Sequence, residues 1–219
     1  MTYKVLITGA TGMVGEGVLL ECLADPRISA VLSVSRKPSG MVHPKLKEYL
    51  LPDFLALKDD DENVKGYDAC FYCAGISSVG MKEPEYARFT FETTIHFARV
   101  LLKQNPGMTF VYVSGAGTDS TGKSRMMWAR VKGKTENTLA GMPFKKVYNF
   151  RPGFMQIIPG QKNALKLYKY VGWMYPFIKL VLPNGTSTLK QVAQAMIYCL
   201  ITGIDKHTIE VKDINKIRN

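Results

Sequence analysis

Residues 4–17 read KVLITGATGMVGEG. A short β-branched apolar run, Val5-Leu6-Ile7-Thr8, enters Gly9-Ala10-Thr11-Gly12-Met13-Val14-Gly15 directly, and an apolar helical pattern follows at once. Strand, glycine turn and helix in that order build the phosphate-binding corner of a dinucleotide fold. Gly9 allows the tight turn out of the strand. Gly12 lets backbone approach a pyrophosphate with no Cβ in the way, and Gly15 lets the helix pack close to the strand. Thr11, Met13 and Val14 complete a corner where free N–H groups at the positive end of the helix receive the pyrophosphate. The alternative is a glycine turn in an α/β domain that binds nothing.

Outward from this corner the pattern repeats. Further strands are expected at residues 30–35, 47–51, 68–73, 108–114 and 146–150, with helical spacing over 83–103 and 125–140. A βα repeat of mostly buried strands predicts an α/β fold, a doubly wound parallel sheet of the Rossmann type. At 219 residues the chain is expected to be one domain. After Gly153 the pattern becomes irregular, and residues 154–204 are expected to form a small lid or substrate-binding appendage. Within it, residues 162–169 have helical character, and residues 170–182 (YVGWMYPFIKLVL) are apolar but broken by Pro176. Ser187 or Thr188 is the expected N-cap of a helix over residues 189–202, and residues 209–211 could add a last short strand.

In such a sheet, ligands bind at the carboxyl ends of the strands. The expected site therefore gathers the glycine corner, Ser35-Arg36-Lys37, Asp53-Phe54, Cys73-Ala74-Gly75, Ser114-Gly115 and Arg151-Pro152-Gly153. The end of the second strand sets cofactor preference. An acid there would hold the ribose 2′-hydroxyl of NAD, whereas Ser35-Arg36-Lys37 offers a hydroxyl and two cations, which suit the 2′-phosphate of NADP. The alternative is that Arg36 and Lys37 begin an exposed loop.

Composition narrows the classes. The net charge of +11 fits either an anionic ligand or a lysine-rich solvated surface. The lysines are spread widely and no nucleic-acid motif is present, so no nucleic-acid partner is expected. Cys22, Cys70, Cys73 and Cys199 lie in apolar segments, as buried free thiols do. Cys70 and Cys73 share a strand at i, i+3 and should point to opposite faces, which argues against a redox or zinc pair. No metal is expected: residues 59–62 (DDDE) read as a solvated acidic turn, and His43, His96 and His207 are scattered. The first strand begins at Tyr3 or Lys4, so no cleavable leader and a cytoplasmic location are expected. The apolar run at 170–182 is too short and interrupted to span a bilayer. Lys162, Lys166, Lys169 and Lys179 beside Trp173, Tyr175 and Phe177 would suit peripheral contact with an anionic membrane.

GATGxxG at the start, CAG after the fourth strand, VSGAG after the fifth, VKGKTE in the next helix and RPG after the sixth together resemble the short-chain dehydrogenase/reductase superfamily. The similarity is closest to its atypical, epimerase-like branch, including Tat-interacting-protein-like members, and covers about residues 3–155. The resemblance implies a serine that orients a substrate carbonyl, a tyrosine that moves the proton, and a lysine that lowers the tyrosine pKa and binds the nicotinamide ribose. Ser114 and Lys132 match the serine and lysine. The tyrosine position, four residues before Lys132 on the same helical face, is Trp128. An indole N–H only donates and does not titrate usefully. Trp128 could bond a carbonyl, stack on a ring or serve as a core aromatic. Tyr168, Tyr170 or Tyr175 are candidate replacement acids, with Tyr112 expected to be too deep. Two functions stay open: an NADP-dependent oxidoreductase or epimerase-like enzyme for a small carbonyl or alcohol, and a non-catalytic NADPH-binding sensor. An oligomer is compatible with either.

Overall fold

Alternation along the first strand decides the architecture. Val5 and Ile7 enter one apolar layer and Leu6 the other, and all three are fully buried because helices cover both faces. The computed structural model describes residues 1–158, 160–163 and 185–217. Their strands are β1 (Tyr3–Thr8), β2 (Ile28–Ser35), β3 (Leu46–Leu50), β4 (Ala69–Tyr72), β5 (Thr109–Val113), β6 (Lys146–Arg151), β7 (Phe154–Gln156), β8 (Thr186–Thr188) and β9 (Thr208–Glu210). Among the described residues, seven of them form one parallel sheet in the order β3-β2-β1-β4-β5-β6-β9, and β7 pairs with β8 separately. The chain steps outward from β1 to β3 and then returns to pair β4 with β1, Ile7 opposite Phe71. That reversal is the switch point at which doubly wound sheets bind ligands.

The helices are α1 (Met13–Ala24), α2 (Glu83–Ala87), α3 (Thr93–Gln104), α4 (Met127–Ala140), α5 (Leu189–Ile201) and α6 (Val211–Lys216). Val18, Leu19 and Cys22 of α1 pack with Val192 and Met196 of α5 and Ile214 of α6 on the Val5–Ile7 face. Ile95, Val100 and Leu101 of α3 and Leu139 of α4 cover the Leu6 face. Cys70 belongs to the Leu6 layer and Cys73 packs against the other, so the pair does point apart, with all four cysteines free. Burial raises the Cys70 thiol pKa and pushes Cys73 up to about 12, which disfavours the thiolate at both.

Three features differ from the expected pattern. The helix expected over 83–103 is α2 and α3 joined by a π turn at Arg88–Glu92. The strand expected at 209–211 is β9, and Val211 instead begins α6, whose N-cap Glu210 and Asp213 bond each other's backbone. The helix expected at 189–202 does form, capped reciprocally by Thr188 and Gln191, but it is a core layer rather than part of an appendage. Its buried face, Leu189, Val192, Ala193 and Met196, has no other way to leave water. The expectations for residues 164–182, including Tyr168, Tyr170, Tyr175, Trp173 and Phe177, fall outside the described residues. No described helix is long and apolar enough to cross a membrane.

Candidate functional site

Each glycine of the corner meets a different constraint. Gly9 has φ +72°, and a Cβ on it would lie 2.7 Å from the Ala74 nitrogen at the end of β4. Thr8 Oγ1 accepts a hydrogen bond from that same Ala74 N–H at 3.1 Å, which ties the β1 and β4 ends together. A Cβ on Gly15 would lie 2.1 Å from the Gly9 carbonyl oxygen, so α1 can sit this close to the turn only without a side chain there. Gly12 differs: its Cβ would meet nothing nearer than the Gly9 oxygen, at 3.4 Å. The fold has room for a Cβ at Gly12, and that space opens onto a cavity. No side chain caps α1, so its first-turn N–H groups lack intrahelical partners; of the corner, Gly9, Thr11 and Gly12 line the cavity, while Met13, Val14 and Gly15 do not. The Met13 side chain itself is buried, and its carbonyl accepts from Gln161 Nε2 at 2.8 Å.

The cavity measures about 430 Å³ and crosses the carboxyl edge of the sheet at β1, β2 and β4. Gly9, Thr11, Gly12, Ser35, Arg36, Asp53, Phe54, Cys73, Ala74 and Gly75, all expected from the sequence, line it. The Ser35 hydroxyl turns back to donate to the Lys37 carbonyl at 2.6 Å, so it shapes the loop that carries Arg36. Lys37 is exposed and does not line the cavity. Asp53 caps a short 3₁₀ turn by accepting from the Leu55 N–H at 2.9 Å, which fixes Phe54 as a wall stacked on Phe97, ring centres 5.2 Å apart. Arg88, Phe89 and Thr93 also line the cavity, and nothing in the sequence singled them out. An uninterrupted helical pattern carries no signal for the π turn that aims them.

The ends of β5 and β6 are built differently, and none of Ser114, Trp128, Lys132 or Arg151 lines this cavity. Ser114 is 1% exposed, and its hydroxyl donates to Glu136 Oε1 at 2.5 Å. Its donor is engaged by a buried carboxylate. Arg151 is engaged likewise. Its guanidinium donates to Glu136 Oε1 at 2.9 Å and Oε2 at 2.5 Å, to Ser120 Oγ at 2.5 Å and to Glu210 Oε1 at 3.1 Å. It neutralises Glu136, which is 1% exposed. The Pro152 carbonyl accepts from Ala116 N–H at 2.9 Å. A Cβ on Gly153 would lie 2.2 Å from the Gly185 oxygen, so that glycine serves a backbone crossing.

Glu136, the centre of this network, was visible only as the last letter of VKGKTE. It lies one helical turn beyond Lys132 on α4, a spacing that puts both on one face. Gly133 between them lets the Asp119 carbonyl approach α4, where a Cβ would come within 1.8 Å. Lys132 is half-buried and donates to the Ser114 carbonyl at 2.5 Å. Burial lowers its pKa and the Glu136 charge opposes that shift. The Trp128 indole lies over Gly117, 3.1 Å from where a Cβ would stand. Tyr112 is buried, and desolvation raises its phenol well above the ordinary value, which excludes it as a ready acid. Among the described residues, no three His, Cys, Asp or Glu side chains cluster as metal ligands. In the acidic run, Asp61 caps a 3₁₀ turn while accepting from the Tyr49 hydroxyl, and Asp59 pairs with Lys103.

No protein-family model matches the chain. Among curated proteins it is similar to Protein FMP52, mitochondrial, of Chaetomium globosum, 24% identical over 153 residues, which is 68% of this chain and 65% of that protein. It is similar also to protein fmp52, mitochondrial, of Emericella nidulans, 24% identical over 167 residues, 73% of this chain and 69% of that one. The matched region thus spans about two thirds of those proteins' length. Among solved structures, a short-chain dehydrogenase family protein from Francisella tularensis superposes with TM-score 0.64 at 17% identity, covering 93% of each chain. The Bordetella bronchiseptica enzyme WbmF, solved with NAD+, gives TM-score 0.66 at 14% identity, covering 96% of this chain and 73% of that one. The UDP-N-acetylglucosamine 4-epimerase of Methanobrevibacter ruminantium gives 0.64 at 15%, covering 94% and 75%. The chain therefore has the Rossmann fold of the short-chain dehydrogenase/reductase and epimerase structures.

Proposed function

We propose that the protein binds NADP, with the adenosine and pyrophosphate in the 430 Å³ cavity and the nicotinamide end beyond it toward Lys132, and acts as an oxidoreductase or epimerase-like enzyme on a small carbonyl or alcohol. The observation that carries this is Gly12, whose missing side chain matters to no protein neighbour closer than 3.4 Å and so matters to a ligand. The cavity edge fits the group: free N–H groups of α1 for the pyrophosphate, Arg36 in place of an acid at the end of β2, and a Phe54 wall for the base. A bound nicotinamide would supply or accept hydride at the substrate carbon. Lys132 would hold the nicotinamide ribose, its ammonium positioned by the Ser114 carbonyl. Trp128 supplies a donor but no titrating group, and the Ser114 hydroxyl is already committed to Glu136.

That second fact favours one further reading, a sensor that binds NADPH without turnover. Calorimetry with NADPH and NADH tests the binding, with NADPH expected to be the tighter ligand; equal affinity would sink the NADP preference. NADPH oxidation over a panel of small aldehydes and ketones separates the two readings. Turnover by wild type that disappears in Lys132→Ala identifies the enzyme. Tight binding with no turnover in wild type or in Trp128→Tyr identifies the sensor. For location we propose a reducing compartment, the cytoplasm first, on the strength of the four free thiols. The FMP52 proteins are named mitochondrial, and fractionation of cells expressing the tagged chain decides between the two.

A further inference from the structure

The π turn between α2 and α3 has a geometric consequence at the cavity. The Arg88 carbonyl accepts from the backbone N–H of Thr93 and from Thr93 Oγ1 at 3.0 Å. Residues five apart stack on one face of a π turn, whereas an α-helix would separate them by about 140°. The turn thus brings Arg88, Phe89 and Thr93 together on the cavity wall. Arg88 is exposed, and among the described residues its guanidinium has no ion-pair partner, unlike Arg27, Arg130 and Arg151. Phe89 beside it is 47% exposed, one of the few large apolar side chains left in water. An unpaired cation and an open aromatic ring side by side on a cavity wall suit a ligand that carries both phosphate and a ring.

Topology says which phosphate. The glycine corner leads into α1, on the Val5–Ile7 face of the sheet. The π turn follows β4 and leads into α3, on the Leu6 face. A pyrophosphate at the corner, above the β1–β4 junction, therefore has the positive end of α1 on one side and Arg88 on the other. Arg36 ends β2, one strand further out, where the ribose of the adenosine would lie. We infer that Arg88 is a second phosphate-binding arginine, directed at the cofactor pyrophosphate, while Arg36 serves the 2′-phosphate. This rests on the dinucleotide reading above.

The experiment is calorimetric titration of NADPH and of NADH into wild type, Arg88→Ala, Arg88→Lys and Arg36→Ala. Loss of one charge-assisted contact is expected to weaken binding about tenfold. Arg88→Ala should weaken both nucleotides by the same factor, Arg88→Lys by less, and Arg36→Ala should weaken NADPH alone. Arg88 is exposed, so circular dichroism and Tm should match wild type, and the lysine variant preserves the test should alanine perturb the turn. Unchanged affinity in Arg88→Ala overturns the inference, and so does a loss confined to NADPH, which would assign Arg88 to the 2′-phosphate. A wild type that binds neither nucleotide overturns the dinucleotide reading itself.

Discussion

The two ends of the sheet's carboxyl edge use their polar groups in opposite ways. At β1, β2 and β4, free helix N–H groups, Arg36 and Arg88 look into open space. At β5 and β6, Ser114, Ser120, Arg151 and Glu210 satisfy one another around the buried Glu136. The first arrangement leaves binding capacity for an outside anion. The second has neutralised itself, and its contribution is to stability and to holding the 114–124 loop under Lys132. One end of the same sheet edge therefore keeps open polar groups while the other satisfies its own.

Mutation can break that comparison, beginning with the closed end. Glu136→Ala removes the acceptor for Ser114, Ser120 and Arg151 at once and leaves a guanidinium that is 14% exposed without its main counter-charge. Chemical denaturation should show a loss of about 3 kcal/mol. A loss below about 1 kcal/mol would mean that water or another acid already serves Arg151. At the open end, Gly12→Val should leave the melting curve near wild type while nucleotide binding falls below detection, because the new side chain occupies only ligand space. Gly15→Val is the contrasting control: it drives atoms into the Gly9 carbonyl and should lower Tm sharply. If Gly12→Val binds normally, the two ends are not functionally different.

Smaller effects sharpen the picture. Arg36→Asp should narrow or reverse the preference for NADPH over NADH, read by competition or calorimetry, with stability unchanged because Arg36 is exposed. The smallest effect concerns the loop under the closed end. Asp119 accepts from the Thr121 hydroxyl, then from the Ser124 and Thr121 N–H groups, and these bonds hold its carboxyl pKa at about 2, below the usual 3.8. A depressed folded-state pKa stabilises above the unfolded value and loses that contribution as pH falls through the folded one. The stability difference between wild type and Asp119→Asn should thus be constant above pH 4 and shrink between about pH 4 and pH 2. A difference that stays flat across that window would show that the loop bonds do not depend on the charge.

The strands of the seven-stranded sheet were legible because buried parallel strands leave apolar runs bounded by glycine, and the expected runs match them to within about two residues, whereas the three-residue β7 and β8 were not expected. The glycine corner was equally legible, since its constraints lie within a dozen consecutive residues. Arg36, Asp53-Phe54 and Cys73-Ala74-Gly75 followed from one topological rule, that strand ends line the ligand site. The same rule named Ser114 and Arg151, which do not line the cavity. It locates a residue at a strand end but does not say which neighbour takes its hydrogen bond.

By itself, then, the sequence determined the sheet, its winding and the glycine corner, because periodicity and glycine spacing are local properties. The partners of long polar side chains were decided only in the tertiary structure. Arg151 meets Glu136 and Glu210 across three elements distant in the chain, and Arg88 reaches the cavity through a π turn that leaves no compositional trace. A buried charge takes the nearest counter-charge that packing supplies, and packing is a property of the whole fold.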